Sequence, residues 1–376
     1  MRRVHVSGYA HLPLRAGSLP LDEAEQVEAV TRIALEEAGL TRSQVGFVCS
    51  ASSDWVMGRA FSFVQALDGV GAWPPIRESH VEMDGAWALY EAWVRLQHGD
   101  IEAAVVYAFG RASFGGVDEA IRLQLDPYTL QPLGIGPFEL AALQAAAMVD
   151  AGAVTDADLA AVVQSAWTAA QRRPDLLQGG GHAGTPPAAW RAESGAIAVD
   201  AVGRALPRPV QPPSAVDVAP LLQAPRRFGP LRAHDQALRA DGAAAIVLRI
   251  DGPGPRIAGI AHCVDPHQPG LRNPNDCAAA RAAAARAGGV AGVHVAELHA
   301  TFSHEVPLLR RSLGLDDQVV INPSGGAMVG DTPMVTGLMR ILEAARAVEA
   351  GAGAALAHAA MGPWLQHNLI VRLEAR

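Results

Sequence analysis

Apolar runs of strand length alternate with helical segments along most of the chain, and this alternation limits the fold more than any other feature. Residues 3–10 and 103–109 have the composition of buried strands, and residues 22–38 and 86–97 carry apolar side chains at helical spacing. The same alternation returns after residue 241. Strands that alternate with helices predict an α/β protein.

The middle of the chain interrupts this pattern. Residues 137–172 have a helical, alanine-rich pattern, whereas residues 173–230 are crowded with proline and glycine, including Gly179-Gly180-Gly181. Loops of this length are uncommon in compact domains and usually have a function. We therefore predict three parts: a first half at residues 1–110 and 235–251, an inserted loop domain at residues 111–234, and a second half at residues 252–376.

A unit of one helix and one strand occurs twice. In each half a helix ends near a glycine, an apolar strand follows, and a second glycine ends the strand. These glycines are Gly99 and Gly110 in the first half, and Gly351 and Gly362 in the second. The two intervals are equal in length, as a duplicated domain would make them. Glycine is common in this chain, with 38 residues, so the spacing alone leaves duplication and coincidence both open.

The charged residues exclude several classes of protein. Lys+Arg number 30, and every one is arginine. Schiff-base aldolases, pyridoxal enzymes and Walker-type phosphate loops need a lysine amine, so these classes are excluded. The net charge is -8 and the sequence has no basic cluster, which argues against nucleic acid as a partner.

The cysteines and the lengths of the apolar runs indicate the cellular compartment in which the protein is expected. Cys49, Cys263 and Cys277 form no CxxC motif and cannot all pair, which favours a reduced, cytoplasmic protein. No run reaches the roughly 20 apolar residues that a membrane-spanning helix needs. We therefore expect no membrane association.

Three local motifs are candidates for chemistry. Asn322-Pro323-Ser324-Gly325-Gly326 lies between a predicted strand and a helix, where paired glycines let backbone approach a ligand. His299 ends a predicted strand, a position suited to acid–base work. Glu82 and Asp84 precede the helix at residues 86–97, where Asp84 suits an N-cap and the helix dipole favours an ionised Glu82. Taken singly, each motif is more typical of a tight turn, a structural histidine or helix capping.

Together the motifs resemble the thiolase superfamily over nearly the whole chain. The resemblance is greatest to the sterol-carrier-protein-type thiolases and the actinobacterial lipid-transfer-protein, acetyl-CoA acetyltransferase-like branch. The family's Asn-Pro-Ser-Gly-Gly loop corresponds to Asn322 to Gly326, and its Gly-His-Pro element corresponds to Gly330-Asp331-Thr332-Pro333. Its His-Asp-Cys-Phe box corresponds to His299-Ala300-Thr301-Phe302, and its Cys-x-x-Gly nucleophile turn corresponds to Glu82-Met83-Asp84-Gly85.

The resemblance implies a thiolase fold, a duplicated five-layered α/β/α/β/α body whose loop domain covers an acyl-CoA. The coenzyme A thioester would be the substrate, with no further cofactor and no metal. The residues implied to bind it are Asn322, Ser324, Gly325, Gly326 and Gly362. A homodimer is expected of this fold. Lipid-transfer-like members also associate with a small OB-fold, zinc-ribbon protein that helps to bind acyl-CoA.

The departures from the family pattern fall on the catalytic positions. Glu82 stands at the nucleophile position, Thr301 replaces the second thiol, and Asp331 replaces the histidine of Gly-His-Pro. Of the usual catalytic set only His299 remains. Thiolysis needs a thiolate that holds the acyl group, so we do not expect an acyl-cysteine route.

Two classes of function remain open. The first is a lyase that makes or breaks a C–C bond beside the thioester by retro-aldol chemistry. Glu82 or Asp331 would then be the base, and His299 with backbone N–H groups near Gly325 or Gly362 would hold the oxyanion. The second is a catalytically silent subunit that binds acyl-CoA or supports a partner in a heteromeric acyltransferase or aldolase complex. We place the enzyme first because ionisable residues, and not alanine or glycine, replace the catalytic groups.

Overall fold

The computed structural model describes residues 1–15, 19–71, 77–114, 116–173, 177–178 and 217–376. The strands are β1 (Val4–His11), β2 (Leu14–Arg15), β3 (Phe47–Ala51), β4 (Glu78–Val81), β5 (Ala103–Arg111), β6 (Leu177–Gln178), β7 (Arg226–Phe228), β8 (Leu231–Arg232), β9 (Asp241–Ile250), β10 (Arg256–Val264), β11 (Val295–Glu297), β12 (Val320–Ile321), β13 (Ala354–Met361) and β14 (His367–Glu374).

The α-helices are α1 (Glu23–Ala38), α2 (Asp54–Met57), α3 (Leu67–Val70), α4 (Gly85–His98), α5 (Val117–Leu123), α6 (Pro137–Asp150), α7 (Asp156–Gln171), α8 (Val218–Gln223), α9 (Ala278–Arg286), α10 (Glu305–Leu313) and α11 (Thr336–Glu349). Short 3-10 helices lie at Arg42–Gln44, Ser62–Ala66, Ala112–Phe114, Gln131–Leu133, Ala233–Asp235 and Pro269–Leu271.

The main sheet consists of two equivalent halves. The strand order is β4-β3-β5-β9-β1 in the first half and β12-β11-β13-β14-β10 in the second. In each half, neighbours are parallel among the first three strands and antiparallel at the next two steps. The halves join where β1 meets β10, at the pair His5 and Arg256. The same order and directions in both halves confirm the duplicated α/β fold.

Helices and sheet halves form the five layers that the resemblance implies. One buried core contains side chains of α4 and α11 together with the facing sides of both sheet halves, among them Leu89 and Leu342. A second core packs α1 on the outer face of the first half, and a third packs α9 and α10 on the outer face of the second. Strand β5 shows why its sequence is apolar throughout. Val106 faces the central core and Val105 the outer one, so neither face of the strand meets water.

The two central helices meet at their N-termini, and glycine makes this approach possible. A Cβ atom on Gly85 would lie 2.9 Å from the Cβ atoms of both Ala108 and Leu338. A Cβ atom on Gly337 would lie 2.4 Å from Oδ1 of Asp84. The positive ends of both helix dipoles therefore point to the same region of the fold.

Several elements differ from the sequence predictions. The helical pattern of residues 137–172 is confirmed, and it forms two helices because Gly152 adopts the left-handed conformation (φ 66°) and Thr155 caps the second helix. Strand β4 and helix α10 were not predicted. Gly179-Gly180-Gly181 lies outside the described residues. The described part of residues 111–234 contains α5 to α8 and the hairpin β7-β8, and the limits of a loop domain there remain a prediction.

Candidate active site

A cavity of about 430 Å³ lies at the N-termini of the two central helices. Side chains such as Leu140, Phe302 and Met334 make most of its wall apolar. The predicted site residues that line it are Glu82, His299, Thr301, Asp331 and Gly362. The structure thus brings together residues that lie far apart in the sequence.

His299 is a buried, uncharged hydrogen-bond donor. It follows β11, and its Nδ1 accepts the backbone N–H of Ala360 at 3.3 Å. Because an amide N–H can only donate, the neutral ring carries its proton on Nε2. Burial lowers the pKa of His299 to about 3, so the ring is neutral at physiological pH. Nε2 lies 3.9 Å from Oδ1 of Asp331.

Asp331 is a buried acid whose oxygens are already bound. Oδ2 forms an ion pair with Arg239, which is also 2.9 Å from Oδ1 of Asp118. Oδ1 accepts the hydroxyl of Thr336 at 2.9 Å. The negative charge of Asp331 is therefore matched by a guanidinium beside the cavity.

Glu82 lines the cavity from its outer side, with a side chain that is 45% exposed. Oε1 accepts the backbone N–H of Asp54 at 2.5 Å, at the start of α2, and Oε2 lies 3.4 Å from Nε2 of His80. The helix that follows Glu82 is capped by Asp84, as its sequence position predicted. Both carboxylate oxygens of Glu82 therefore have a neighbouring partner, the backbone N–H of Asp54 for Oε1 and the ring of His80 for Oε2.

Thr301 and Gly362 both line the cavity wall. The N–H of Thr301 donates to Oε2 of Glu305 at 2.7 Å, and its carbonyl accepts the N–H of Ala237 at 2.7 Å. Gly362 directly follows β13 and has φ 78°. The roles predicted for these two residues remain predictions.

The Asn-Pro-Ser-Gly-Gly loop lies outside the described cavity wall. Oδ1 of Asn322 accepts the N–H of Leu298 at 2.6 Å. Gly325 and Gly326 have φ of 96° and 66°, and a Cβ atom on Gly325 would lie 2.9 Å from the carbonyl of Ala166 in α7. These glycines allow a tight turn packed against α7, which explains their presence without a ligand.

A buried ion pair holds the same loop. The N–H and hydroxyl of Ser324 donate to Glu297, at 3.1 and 2.7 Å. Arg340 donates to Glu297 at 2.6 Å and to Oγ of Ser324 at 2.8 Å. Glu297 and Arg340 are both fully buried. A substrate contact by Asn322, Ser324 or the two glycines remains a prediction.

Sequence reasoning missed one acid in the cavity and underrated another. Burial raises the pKa values of Asp84 and Glu305 to about 7. Asp84 was assigned only a capping role, and Glu305 lies in an unpredicted helix. The signal for that helix was present, since Pro307 suits a first turn and Gly314 a helix end.

All three cysteines lie in the described part of the chain, and none lines the cavity. Cys49 and Cys277 are buried, and burial raises the pKa of each thiol to about 12. Neither forms the thiolate that nucleophilic catalysis requires. Within the described ranges, no helix combines the length and apolarity needed to cross a membrane, and no three His, Cys, Asp or Glu side chains cluster as a metal site.

Comparison with solved structures identifies the architecture. No family model and no curated protein matches the chain. The crystal structure of human mitochondrial 3-ketoacyl-CoA thiolase matches with a TM-score of 0.76 and 17% sequence identity, over 100% of this chain and 99% of that one. The crystal structure of the Bacillus anthracis acetyl-CoA acetyltransferase matches with a TM-score of 0.77 and 15% sequence identity, again over 100% of this chain and 99% of that one. The chain has the thiolase fold.

Proposed function

We propose that the chain acts on an acyl-CoA and cleaves or forms the C–C bond beside the thioester without a cysteine nucleophile. The observation that carries this proposal is a neutral His299, with Nε2 facing Asp331, in a cavity whose described wall contains no cysteine. The two structural neighbours named above are a 3-ketoacyl-CoA thiolase and an acetyl-CoA acetyltransferase. A CoA thioester is therefore the substrate class to test first.

Retro-aldol cleavage of a β-hydroxyacyl-CoA fits this set of groups. The reaction needs a base for the β-hydroxyl and a donor for the oxygen of the thioester enolate. Nε2–H of His299 is a suitable donor because its ring stays neutral, and the N–H groups near Gly362 are a second source. Glu82 and Asp331 are the bases that the sequence hypothesis names. The apolar wall suits an acyl chain.

We assign the chain to the sterol-carrier-protein-type, lipid-transfer-like branch as part of the same proposal. The support is the resemblance of the Asn322 to Gly326 loop and of the His299 to Phe302 box to the motifs of that family. The absence of lysine then means that arginine or backbone N–H groups hold the CoA phosphates.

A catalytically silent subunit is the second candidate function. One observation favours it: both acids named as bases have other partners, since Glu82 binds the first turn of α2 and Asp331 pairs with Arg239. Such a subunit would bind acyl-CoA or support an active chain, and a small OB-fold, zinc-ribbon protein is the partner that the resemblance suggests.

Homodimerisation through the first half is part of the proposal. Strand β4 ends its half of the sheet and pairs, among the described strands, with β3 alone. Nearby segments expose Trp55 by 58% and Phe61 by 69%. An open strand edge beside exposed aromatic side chains is suited to a second copy.

A substrate assay separates the two functions. The protein is purified alone and after co-expression with the OB-fold protein, and each sample is given β-hydroxyacyl-CoA, or β-ketoacyl-CoA with free CoA. We expect acetyl-CoA and a carbonyl compound from the first substrate and no thiolysis of the second. Thiolysis would contradict the cysteine-free mechanism. Binding of acyl-CoA without turnover in either sample would favour the silent subunit.

A further inference from the structure

Glu305 is a buried carboxyl group that lines the same cavity as His299 and lacks a cationic partner. It is the first residue of α10 and is 5% exposed. Oε2 accepts the backbone N–H groups of Thr301 and Phe302, at 2.7 and 3.0 Å. Among the described residues, no donor binds Oε1, and neither oxygen forms an ion pair.

Asp84 and Asp331, the other two buried acids of the described cavity wall, have no free oxygen. Asp84 accepts the backbone N–H of Ala86 with Oδ1 and of Gly337 with Oδ2, both at 2.9 Å. Asp331 uses one oxygen for Arg239 and the other for the hydroxyl of a threonine. Protonation of either acid would weaken hydrogen bonds that it already accepts, and protonation of Asp331 would also remove the charge that pairs with Arg239.

The two more exposed acids, Glu82 and Asp126, are also engaged. Glu82 binds the start of α2 and lies beside His80. Asp126 accepts the N–H and the hydroxyl of Thr129, both at 2.6 Å, and its other oxygen lies 3.7 Å from His267. Glu305 is thus the one acid of the described cavity wall that combines deep burial with a free oxygen.

The electrostatic surroundings suit proton exchange near neutral pH. Burial raises the pKa of Glu305 to about 7, the charge of Asp331 adds to the rise, and the N–H donors of Thr301 and Phe302 oppose it. Asp331 is matched by Arg239. Burial lowers the pKa values of His299, which lines the same cavity, and of His304, which precedes Glu305, to about 3, so both are neutral in this range. A base with a pKa near the working pH is the most effective one.

We propose that Glu305, and not Glu82 or Asp331, is the catalytic base of the retro-aldol reaction; this inference rests on the function proposed above. Oε1 takes the proton of the β-hydroxyl group, an oxygen electron pair forms the new C=O bond, and the Cα–Cβ bond breaks. The electrons of that bond form the thioester enolate, whose oxygen accepts Nε2–H of His299. The protonated Glu305 then returns its proton to Cα. Proton and electrons balance, and no oxidant or cofactor is needed.

The test compares the wild type with the Glu305→Gln variant on β-hydroxy-β-phenylpropionyl-CoA, which gives benzaldehyde and acetyl-CoA. The amide oxygen of glutamine still accepts the two backbone N–H groups, so the helix start is retained. We expect kcat to fall about 100-fold or more with little change in KM. We also expect the rise of wild-type activity between about pH 6 and 8 to be absent from the variant.

Glu25→Gln is the matched control. Glu25 lies in the first turn of α1, outside the cavity, and its Oε2 accepts the N–H of Asp22 at 3.0 Å. The same substitution in the same kind of helix start should leave the rate and the pH profile unchanged. Glu305→Asp is a second variant, since it keeps an acid and shortens its reach, and it should lower kcat while retaining the dependence on pH.

Each outcome decides a different question. A Glu305→Gln variant within about threefold of the wild-type kcat, with the same pH profile, would overturn Glu305 as the base and leave the retro-aldol function standing. No cleavage by the wild type, alone or with its partner, would overturn the function and the base together. NMR of protein labelled at the glutamate carboxyl carbon should show one signal that titrates near pH 7 and is absent from the Glu305→Gln variant. Titration of that signal near pH 4 would refute the assignment even without an assay.

Discussion

Asp84 binds the backbone N–H of Gly337 across the junction of the two halves, at 2.9 Å from Oδ2. Its Oδ1 accepts the N–H of Ala86 at the same distance, so one carboxylate caps both central helices. These helices are equivalent in the repeat, and their N-termini border the cavity. The geometry of the site therefore depends on a single side chain at the centre of the fold.

Replacing Asp84 should cost more stability than replacing an ordinary cap. Asp84→Ala leaves two buried backbone N–H groups without an acceptor, and we expect a loss of about 3 kcal/mol in the free energy of unfolding by urea. Asp22→Ala removes the cap of α1 alone and should cost about 1 kcal/mol. Equal losses in the two variants would contradict a shared cap.

Gly337→Ala should destabilise the protein although alanine favours a helix. Propensity alone predicts a gain of about 1 kcal/mol. The added Cβ would lie 2.4 Å from Oδ1 of Asp84 and 2.7 Å from Cβ of Ala359, so we expect a loss of about 2 kcal/mol. Gly270→Ala, where no atom lies within 4 Å, should be close to neutral. A stabilised Gly337→Ala variant in thermal unfolding would refute the close approach.

The buried ion pair should make Arg340 essential to the Asn-Pro-Ser-Gly-Gly loop. Arg340→Met leaves the buried Glu297 without its cation, at a cost of about 3 to 5 kcal/mol. The double variant Glu297→Gln, Arg340→Met should recover much of this loss, because no charge is then buried alone. Denaturant unfolding of the three variants measures the coupling. A loss below about 1 kcal/mol in Arg340→Met would show that the pair does not hold the loop.

The stability of the wild type should depend on pH through Glu305. Its folded-state pKa of about 7 lies above the ordinary value, so folding favours the protonated form. This contribution is complete below about pH 4 and is lost as the pH rises through about 7. Relative to Glu305→Gln, which does not titrate, the wild type should lose roughly 3 kcal/mol over that range. A constant difference between the two proteins in urea unfolding at pH 4 and pH 8 would contradict the shift.

Most of the long strands and helices were predictable because their signals are local, whereas the spacing of the glycines left the repeat open until the strand order was known. Apolar runs such as β5 are buried on both faces, and glycines such as Gly99 end helices in the left-handed conformation. The capping role of Asp84 was readable for the same reason. Its second bond, to Gly337, was not, because it joins residues 253 positions apart.

The candidate site shows where sequence patterns stop being informative. His299, Glu82 and Asp331 line one cavity, although their motifs lie far apart in the sequence. The partners of Glu82 and Asp331 come from elements that no motif connects, and they decide whether an acid is free to act. Glu305 was missed because its significance lies in burial and in the absence of a cation, which only the assembled cavity provides.

Turnover by a cysteine-free variant tests most directly whether the C–C bond is cleaved without a cysteine nucleophile. Cys49, Cys263 and Cys277 are replaced by alanine, and the release of acetyl-CoA from β-hydroxy-β-phenylpropionyl-CoA is compared with that of the wild type. We predict equal kcat within about threefold and no covalent acyl adduct in the intact mass of either protein. Loss of turnover in a folded cysteine-free variant, or an acyl group trapped on the wild-type chain, would contradict this prediction.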